Sequence, residues 1–563
     1  MPVIRIQVIR RAVPILILLA LYWPGVTTWF YQDDFGWLNL RHDVHSTRDL
    51  AAALFAPKAH GNMRPLGENA YWLAISSVFG PDPLPFHIAA FLIQAASLLL
   101  LGAIIERTVK SHLAAFTAQC LWVVNIGLAP ALGWSSIFNQ ILSAFFFLFA
   151  FYFLLRCQWR AHWIAFLLGL GALEINVMYP AIAAVYALLY APALLRKIAP
   201  MFAVSAVAVF LHFHFAPPPA AGVYAPRVDG RMLATFWTYW QWSLGPMPLW
   251  LALALTAAVV ALIAGRQHLA LFGLAFFVLP LLPYLPLPDH KMDYYLAVPA
   301  IGIALLGAAA VAVPRYRMAA AAFIAIYLGA SLPAASRITR WQHARGERVE
   351  DLVLGVKEIR QSMPDGVILL DGIDTDLFWS GVADLPFRAL AIPRVYLSPA
   401  PVTRIDAAPE LLSKYTLPAA LARNAVLYRF DGQQLHRSSL SAALTETEPL
   451  FVNLADDAFR EYFGAGWRAA PGGYREMSGA ATVRIGTPRT VSQSLYIGIF
   501  ETRDFHLTVR ANGVELPVTV AHRDNDLSEF RAKLPPAALS WMGMEVALSA
   551  DRAPLTFGYL EVR

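Results

Sequence analysis

The chain has 563 residues, 58% of them hydrophobic and 15% charged, with a formal net charge of +6. Soluble domains carry about a quarter charged residues, so this composition excludes an ordinary soluble protein and points to a polytopic membrane protein. The basic excess does not indicate nucleic acid, because Lys and Arg fall in short clusters between apolar runs, where topology signals stand.

Arg5, Arg10 and Arg11 precede a first apolar run, Ala12 to Phe30, and no small-x-small cleavage site follows. The expectation is an uncleaved first span with its N-terminus in the cytoplasm. Basic clusters then recur after every second run. Arg107 and Lys110 follow Ile88–Ile105, and Arg156 and Arg160 follow Ile137–Leu155. Arg196 and Lys197 follow Ala181–Leu195, Arg266 follows Leu249–Ala264, and Arg315 and Arg317 follow Leu296–Val313. This alternation predicts about eleven spans, an outward C-terminal region, and a multi-pass protein of a bacterial inner membrane with that region in the periplasm.

The expected domains are a transmembrane part over 1–343, a small α/β segment over 344–449 and a β-sandwich over 450–563. The soluble part is expected to begin near Arg337, with a helix ending at Gly355–Gln361 and strands at Val367–Leu370 and Val395–Leu397. His506–Ala511 and Glu515–Val520 alternate around Asn512-Gly513, which predicts a hairpin. Cys120 and Cys157 both lie in the membrane part, so the tail has no disulfide.

Chemistry is sought in the outward segments, which mix acids, His, Arg and Tyr, whereas the inward turns are brief and basic. Asp33 and Asp34 stand where the first run meets water. They either cap a short interfacial helix or supply a general base with an acidic neighbour. Successive helical side chains diverge by about 100°, so one should face the site and the other should bond loop donors. Asp33 is taken as the base. The stretch from His60 to Asn69 holds His60, Arg64 and Glu68; Arg64 is either an interface anchor or a phosphate ligand. Glu174 lies inside an apolar run and is either paired with an outer-loop cation or functional. Arg227, His290 and Lys291 sit in other outward loops. His212, His214, Asp229 and His290 are candidates for a divalent metal, without ligand spacing to favour it. Asp371, Asp374 and Asp376 read better as a solvated turn than as a calcium loop. The aromatic stretch Phe236–Trp242 fits a membrane-surface belt or a stacking surface for sugar or prenyl chain.

The order of these landmarks resembles the GT-C superfamily of membrane glycosyltransferases, and within it the protein O-mannosyltransferase type, including the tetratricopeptide-linked enzymes. The resemblance covers roughly residues 12–345. It rests on Asp33-Asp34 after the first span, Arg64-Pro65-Leu66 in the same loop and Phe86-His87 opening the second span. Leu173-Glu174 with Pro180, Tyr294-Tyr295 with Pro299, and Arg337 to Trp341 complete it. Leu173, Ala90, Gln94 and Tyr294 depart from the family pattern, and the tail shows no tetratricopeptide repeat. The resemblance implies inverting transfer of a sugar from a polyprenyl phosphate at the outer face, to a glycan, lipid or protein acceptor. It makes Asp33 and Asp34 catalytic, and His60, Arg64, Glu68, Glu174, Arg227, His290, Lys291, Tyr294 and Tyr295 substrate-binding candidates. A transporter or flippase of lipid-linked sugars, or a non-catalytic scaffold with a carbohydrate-binding domain, are the competing expectations.

Overall fold

The computed structural model describes residues 2–57, 63–215, 217–219, 222–265, 267–398, 405–407, 411–412, 414–417, 425–438, 449–470, 473–487, 493–501, 503–523, 527–539 and 543–563. They divide into two compact units, Met1–Val349 and Glu350–Arg563.

The first unit is helical. Among the described residues four helices are long and apolar enough to cross a membrane, or five when the bent pair Arg231–Leu244 and Leu249–Ile263 counts as one. About eleven spans are expected from the sequence, and these helices do not by themselves support that count, because some of the apolar runs are broken or short. The run 181–195 ends its helix at Tyr190 and turns through Pro192–Leu194 before the next helix begins. Glu174–Tyr190, His268–Leu281 and Ala300–Ala312 are apolar but too short to qualify. Hydropathy marks depth in a membrane but is blind to such breaks, because a residue facing lipid and one facing a neighbouring helix are equally apolar.

The first helix, Pro2–Val26, stops before the end of its apolar run. Residues 27–33 leave helical geometry, and Trp29, Phe30 and Phe35 enter an aromatic layer instead of lipid. Phe30 meets Phe86 at 5.4 Å between ring centroids and Trp72 meets Phe86 at 4.6 Å. Tyr71 stacks on Phe138 at 3.9 Å. This layer ties the end of the first helix to Tyr71–Phe79, Pro83–Val109 and Phe138–Leu155. His87 lies within it, buried, with Nε2 2.9 Å from the Thr28 carbonyl.

Close helix packing elsewhere uses glycine. His268–Leu281 meets Ala300–Ala312 where Gly273 faces Gly302, and a Cβ on Gly302 would lie 2.5 Å from the Gly273 carbonyl. Small residues let helices approach where no hydrophobic gain separates helix from lipid.

The helix Arg317–Ser362 runs 46 residues, so the polar sequence after Arg337 continues a helix. In the second unit Val367–Asp371 pairs in parallel with Val395–Leu397 and Ala425–Phe430, and Leu435–Ser438 closes that sheet antiparallel. Asp374 caps Thr375–Gly381 by accepting from Leu377 N at 2.8 Å, a structural use of that acidic turn. Two further sheets follow, of four and seven strands, with buried faces from Val452 to Val562. Leu507–Ala511 and Val514–Leu516 form the expected hairpin, with Asn512 at φ 48° and Gly513 at φ 84°. The expected second arm, Glu515–Val520, is not one strand. Pro517, which has no N–H to donate, breaks it, and Val518–Arg523 joins the other sheet. Gly464-Ala465-Gly466-Trp467 anchors this region: Gly464 N and Trp467 Nε1 both donate to the Thr482 carbonyl at 2.8 Å.

Candidate active site

The site is built on the turn that ends the first helix. Gln32 adopts φ 56°, a left-handed conformation rarely taken by residues other than glycine. Its side chain is held from a distant part of the sequence, since Arg345 Nη1 donates to Gln32 Oε1 at 3.2 Å. The Arg345 guanidinium lies over the rings of Tyr31, 5.5 Å away, and Trp341, 5.3 Å away. The two acids after Gln32 part company. Asp34 is 1% exposed. Its Oδ1 accepts from Ser136 N at 2.8 Å and Ser136 Oγ at 2.6 Å, and its Oδ2 accepts from Tyr31 N at 3.2 Å. Burial pushes this carboxyl up, and the donors of Ser136 and Tyr31 oppose that push. Asp33 is exposed at the surface of the turn and makes no side-chain capping bond. Protein around it nonetheless pushes its carboxyl above the usual range by desolvation. Asp33 is thus both open to solvent and partly desolvated.

Arg64, Glu68 and Glu174 are brought together from positions 110 residues apart. Arg64 Nε reaches both Glu174 oxygens at 2.8 Å, and its Nη1 reaches Glu68 Oε1 at 2.5 Å. Glu68 also accepts from Asn139 Nδ2 at 2.7 Å. Backbone contacts set this geometry. Pro65–Ala70 is a wide π-helical turn, a form frequent at functional sites. Leu66 N donates to the Gly171 carbonyl at 2.9 Å. Gly67 packs so closely there that a Cβ would lie 2.1 Å from the Ala172 carbonyl. The loop bearing Arg64 is thereby clipped to the turn that starts at Glu174. Nε and Nη1 are spent on carboxylates, and among the described residues Nη2 has no partner, on a side chain that is 21% exposed.

Aromatic side chains join the two acidic centres. Tyr31 stacks with Trp134 at 5.6 Å, and Trp134 meets Tyr294 edge-on at 6.3 Å. Tyr294 meets Tyr295 at 4.8 Å, and Tyr295 stacks on Tyr284 at 3.8 Å. The charges of both Asp33 and Arg64 act on the Tyr224 hydroxyl, and Asp33 acts on that of Tyr294. His290 is buried against Tyr224, with ring centroids 4.2 Å apart. Asp33, Arg64, Glu68, Glu174, His290, Tyr294 and Tyr295 thus belong to one neighbourhood.

The other expected residues do not join it by any contact among the described residues. Arg227 pairs with Asp289 at 3.6 Å on the surface. Lys291 Nζ folds back to donate to the Pro288 carbonyl at 2.5 Å. His60 lies outside the described residues. No group of three or more His, Cys, Asp or Glu side chains is placed to hold a metal among the described residues. Asp229 is instead bound to Arg231, with Oδ2 2.5 Å from Nη2.

Sequence reading missed Gln32, Trp134, Ser136, Tyr224, Tyr284 and Arg345. Asp293, in the same stretch as Tyr294, was also missed; burial pushes its carboxyl up, and it acts on the Tyr31 hydroxyl. The signal for Asp293 in the sequence was its place directly before Tyr294-Tyr295.

No family model matches the chain, and no curated protein matches it either. Among solved structures it is similar to ArnT from Cupriavidus metallidurans bound to undecaprenyl phosphate. The identity is 12% and the TM-score 0.41, over 75% of this chain and 93% of that one. It is also similar to the arabinofuranosyltransferase AftD from Mycobacteria, at 12% identity and TM-score 0.42 over 99% of this chain. The chain spans 58% of AftD's length. The arabinosyltransferase EmbB from Mycobacterium smegmatis is similar at 11% identity and TM-score 0.31, over 98% of this chain and 64% of that one.

Proposed function

We propose that the chain is a membrane glycosyltransferase that moves a sugar from a polyprenyl-phosphate donor to a hydroxyl of a glycan, lipid or protein. The observation that carries this reading is the division of labour in the acidic pair. Asp34 spends its oxygens on fixing the turn, and Asp33 is left exposed, with its charge and that of Arg64 both acting on Tyr224. In the proposed reaction Asp33 takes the proton of the acceptor hydroxyl. The acceptor oxygen forms a bond to the anomeric carbon while the bond from that carbon to the phosphate oxygen breaks. The electron pair leaves with the phosphate, whose charge meets the open Nη2 edge of Arg64. Attack from the face opposite the phosphate inverts the anomeric centre. The tyrosines around Tyr295 offer flat, amphipathic surfaces for the sugar ring. A desolvated base is matched to this work, because its raised affinity for the proton favours abstraction.

The setting we propose is a bacterial inner membrane, with the N-terminus cytoplasmic and the Asp33–Arg64 site and C-terminal region periplasmic. A periplasm-active reporter fused after Arg563 should be active; activity only from a cytoplasmic reporter would reverse the orientation.

The test of the function is release of sugar from a polyprenyl-phosphate sugar by the purified chain in detergent. Release that depends on Asp33 is expected. A flippase needs a sealed bilayer to show its activity and would release nothing here.

A further inference from the structure

A hollow of about 380 Å³ lies at the bend between Arg231–Leu244 and Leu249–Ile263, which meet at 96°. The bend is built in. Gly245 takes φ 83°, Asn125 Nδ2 donates to the Ser243 carbonyl at 2.9 Å, and Trp240 Nε1 donates across the elbow to Thr256 Oγ1 at 2.8 Å. The volume is that of a small-ligand pocket, within the range of about 300–1,000 Å³. Ile126, Trp242, Met247 and Ile338 give it an apolar wall, and Gln241 and Arg337 stand on it as polar groups.

Arg337 is the informative residue. It is exposed, and among the described residues no carboxylate pairs with it. It lies on the same continuous helix as Arg317. Twenty residues of helix rise about 30 Å, which is about the thickness of a bilayer's hydrocarbon core. With Arg317 at one interface, Arg337 is at headgroup depth on the other, beside a hollow lined for a chain.

We propose that this elbow is a binding site for an anionic glycerophospholipid of the surrounding bilayer, with its phosphate on Arg337 and one acyl chain in the hollow. Basic pockets between membrane helices recognise lipid headgroups in this way. The donor is a poor fit to the same site. Its phosphate is bonded directly to the sugar carbon that reacts. Arg345, which holds Gln32 beside Asp33, stands eight residues further along the helix. That is about 12 Å of rise, too far for one phosphate to occupy Arg337 while its sugar reacts at Asp33. This exclusion of the donor rests on the proposed function; the lipid site itself does not.

The experiment is native mass spectrometry of the purified full chain in detergent, titrated separately with phosphatidylglycerol, phosphatidylcholine and undecaprenyl phosphate. Phosphatidylglycerol should bind with one saturable equivalent, more tightly than phosphatidylcholine. Arg337→Ala should weaken it about fivefold or more, from roughly 1 kcal/mol per basic residue near a membrane surface. Ala252→Phe, which fills the hollow from its wall, should weaken both phospholipids. Equal phosphatidylglycerol binding by Arg337→Ala and the parent overturns the proposal, as does phosphatidylcholine binding as tightly as phosphatidylglycerol. Displacement of phosphatidylglycerol by an equal concentration of undecaprenyl phosphate assigns the elbow to the donor and also overturns it.

Discussion

Each unit contains an arginine held between two glutamates, and the two clusters are finished differently. In the second unit Arg563 reaches Glu529 at 2.7 Å and Glu561 at 3.0 Å. Tyr496 covers that guanidinium at 3.9 Å, and Tyr559 donates to the remaining oxygen of Glu529 at 2.5 Å. In the first unit Arg64 reaches Glu174 at 2.8 Å and Glu68 at 2.5 Å, yet among the described residues its Nη2 has no partner, and the exposed carboxylate of Asp33 acts on the same Tyr224 as Arg64 does. A buried charge cluster is therefore not a site in itself. The proposed function draws on capacity left over after the protein's own groups are satisfied, and among the described residues Arg64 and Asp33 have it where the Arg563 cluster does not.

Breaking the open cluster should cost turnover more than anything else. Arg64→Ala should lower sugar release by about 10²–10³, the usual loss when a donor to developing negative charge is removed. Arg64→Lys keeps the charge without the planar fork and should fall between the two. Wild-type release by Arg64→Ala would reduce Arg64 to a structural clasp. Arg563→Ala should do the converse. Breaking a buried ion pair costs about 3–5 kcal/mol, and the quarter exposure of this guanidinium reduces that to about 2–3 kcal/mol. Denaturant unfolding should show that loss, with turnover per folded molecule unchanged. Gly67→Ala tests the clip between the Arg64 and Glu174 turns. Its methyl meets the Ala172 carbonyl, so about 1–3 kcal/mol of strain and a moderate loss of turnover are expected. The smallest effect concerns pH. Asp33 must be ionised to act as a base, and burial raises its proton affinity. The acid limb of the pH–rate profile should therefore lie above the usual carboxylate range. A limb within the usual range would mean that the surrounding protein does not desolvate Asp33.

What was legible in the sequence is what local chemistry dictates. The acidic pair stood out because an apolar run ended on it, and its divergence follows from helical geometry within two residues. The hairpin at Asn512-Gly513 announced itself by turn chemistry. Only Pro517, two residues past the predicted turn's partner, shortened its second arm. The Arg64–Glu174 pair could be offered only as an alternative, since 110 residues separate its members. The grip of Arg345 on Gln32, across 313 residues, left no sequence signal. The left-handed turn at Gln32 was hidden for the same reason: nothing marks glutamine for φ 56° unless its partner is known. Helix breaks were illegible because apolar composition carries depth and not direction.

The central claim is that Asp33 reacts and Asp34 holds the turn. It is tested most directly by comparing Asp33→Asn and Asp34→Asn for turnover and for thermal unfolding in the same detergent. Asp33→Asn should lose about 10²–10⁴ in turnover, as for removal of a general base, with its unfolding temperature unchanged. Asp34→Asn, which disturbs the bonds to Ser136 and Tyr31, should unfold at a lower temperature while its folded fraction still turns over. Near-normal turnover by Asp33→Asn alongside a dead but stable Asp34→Asn would contradict it.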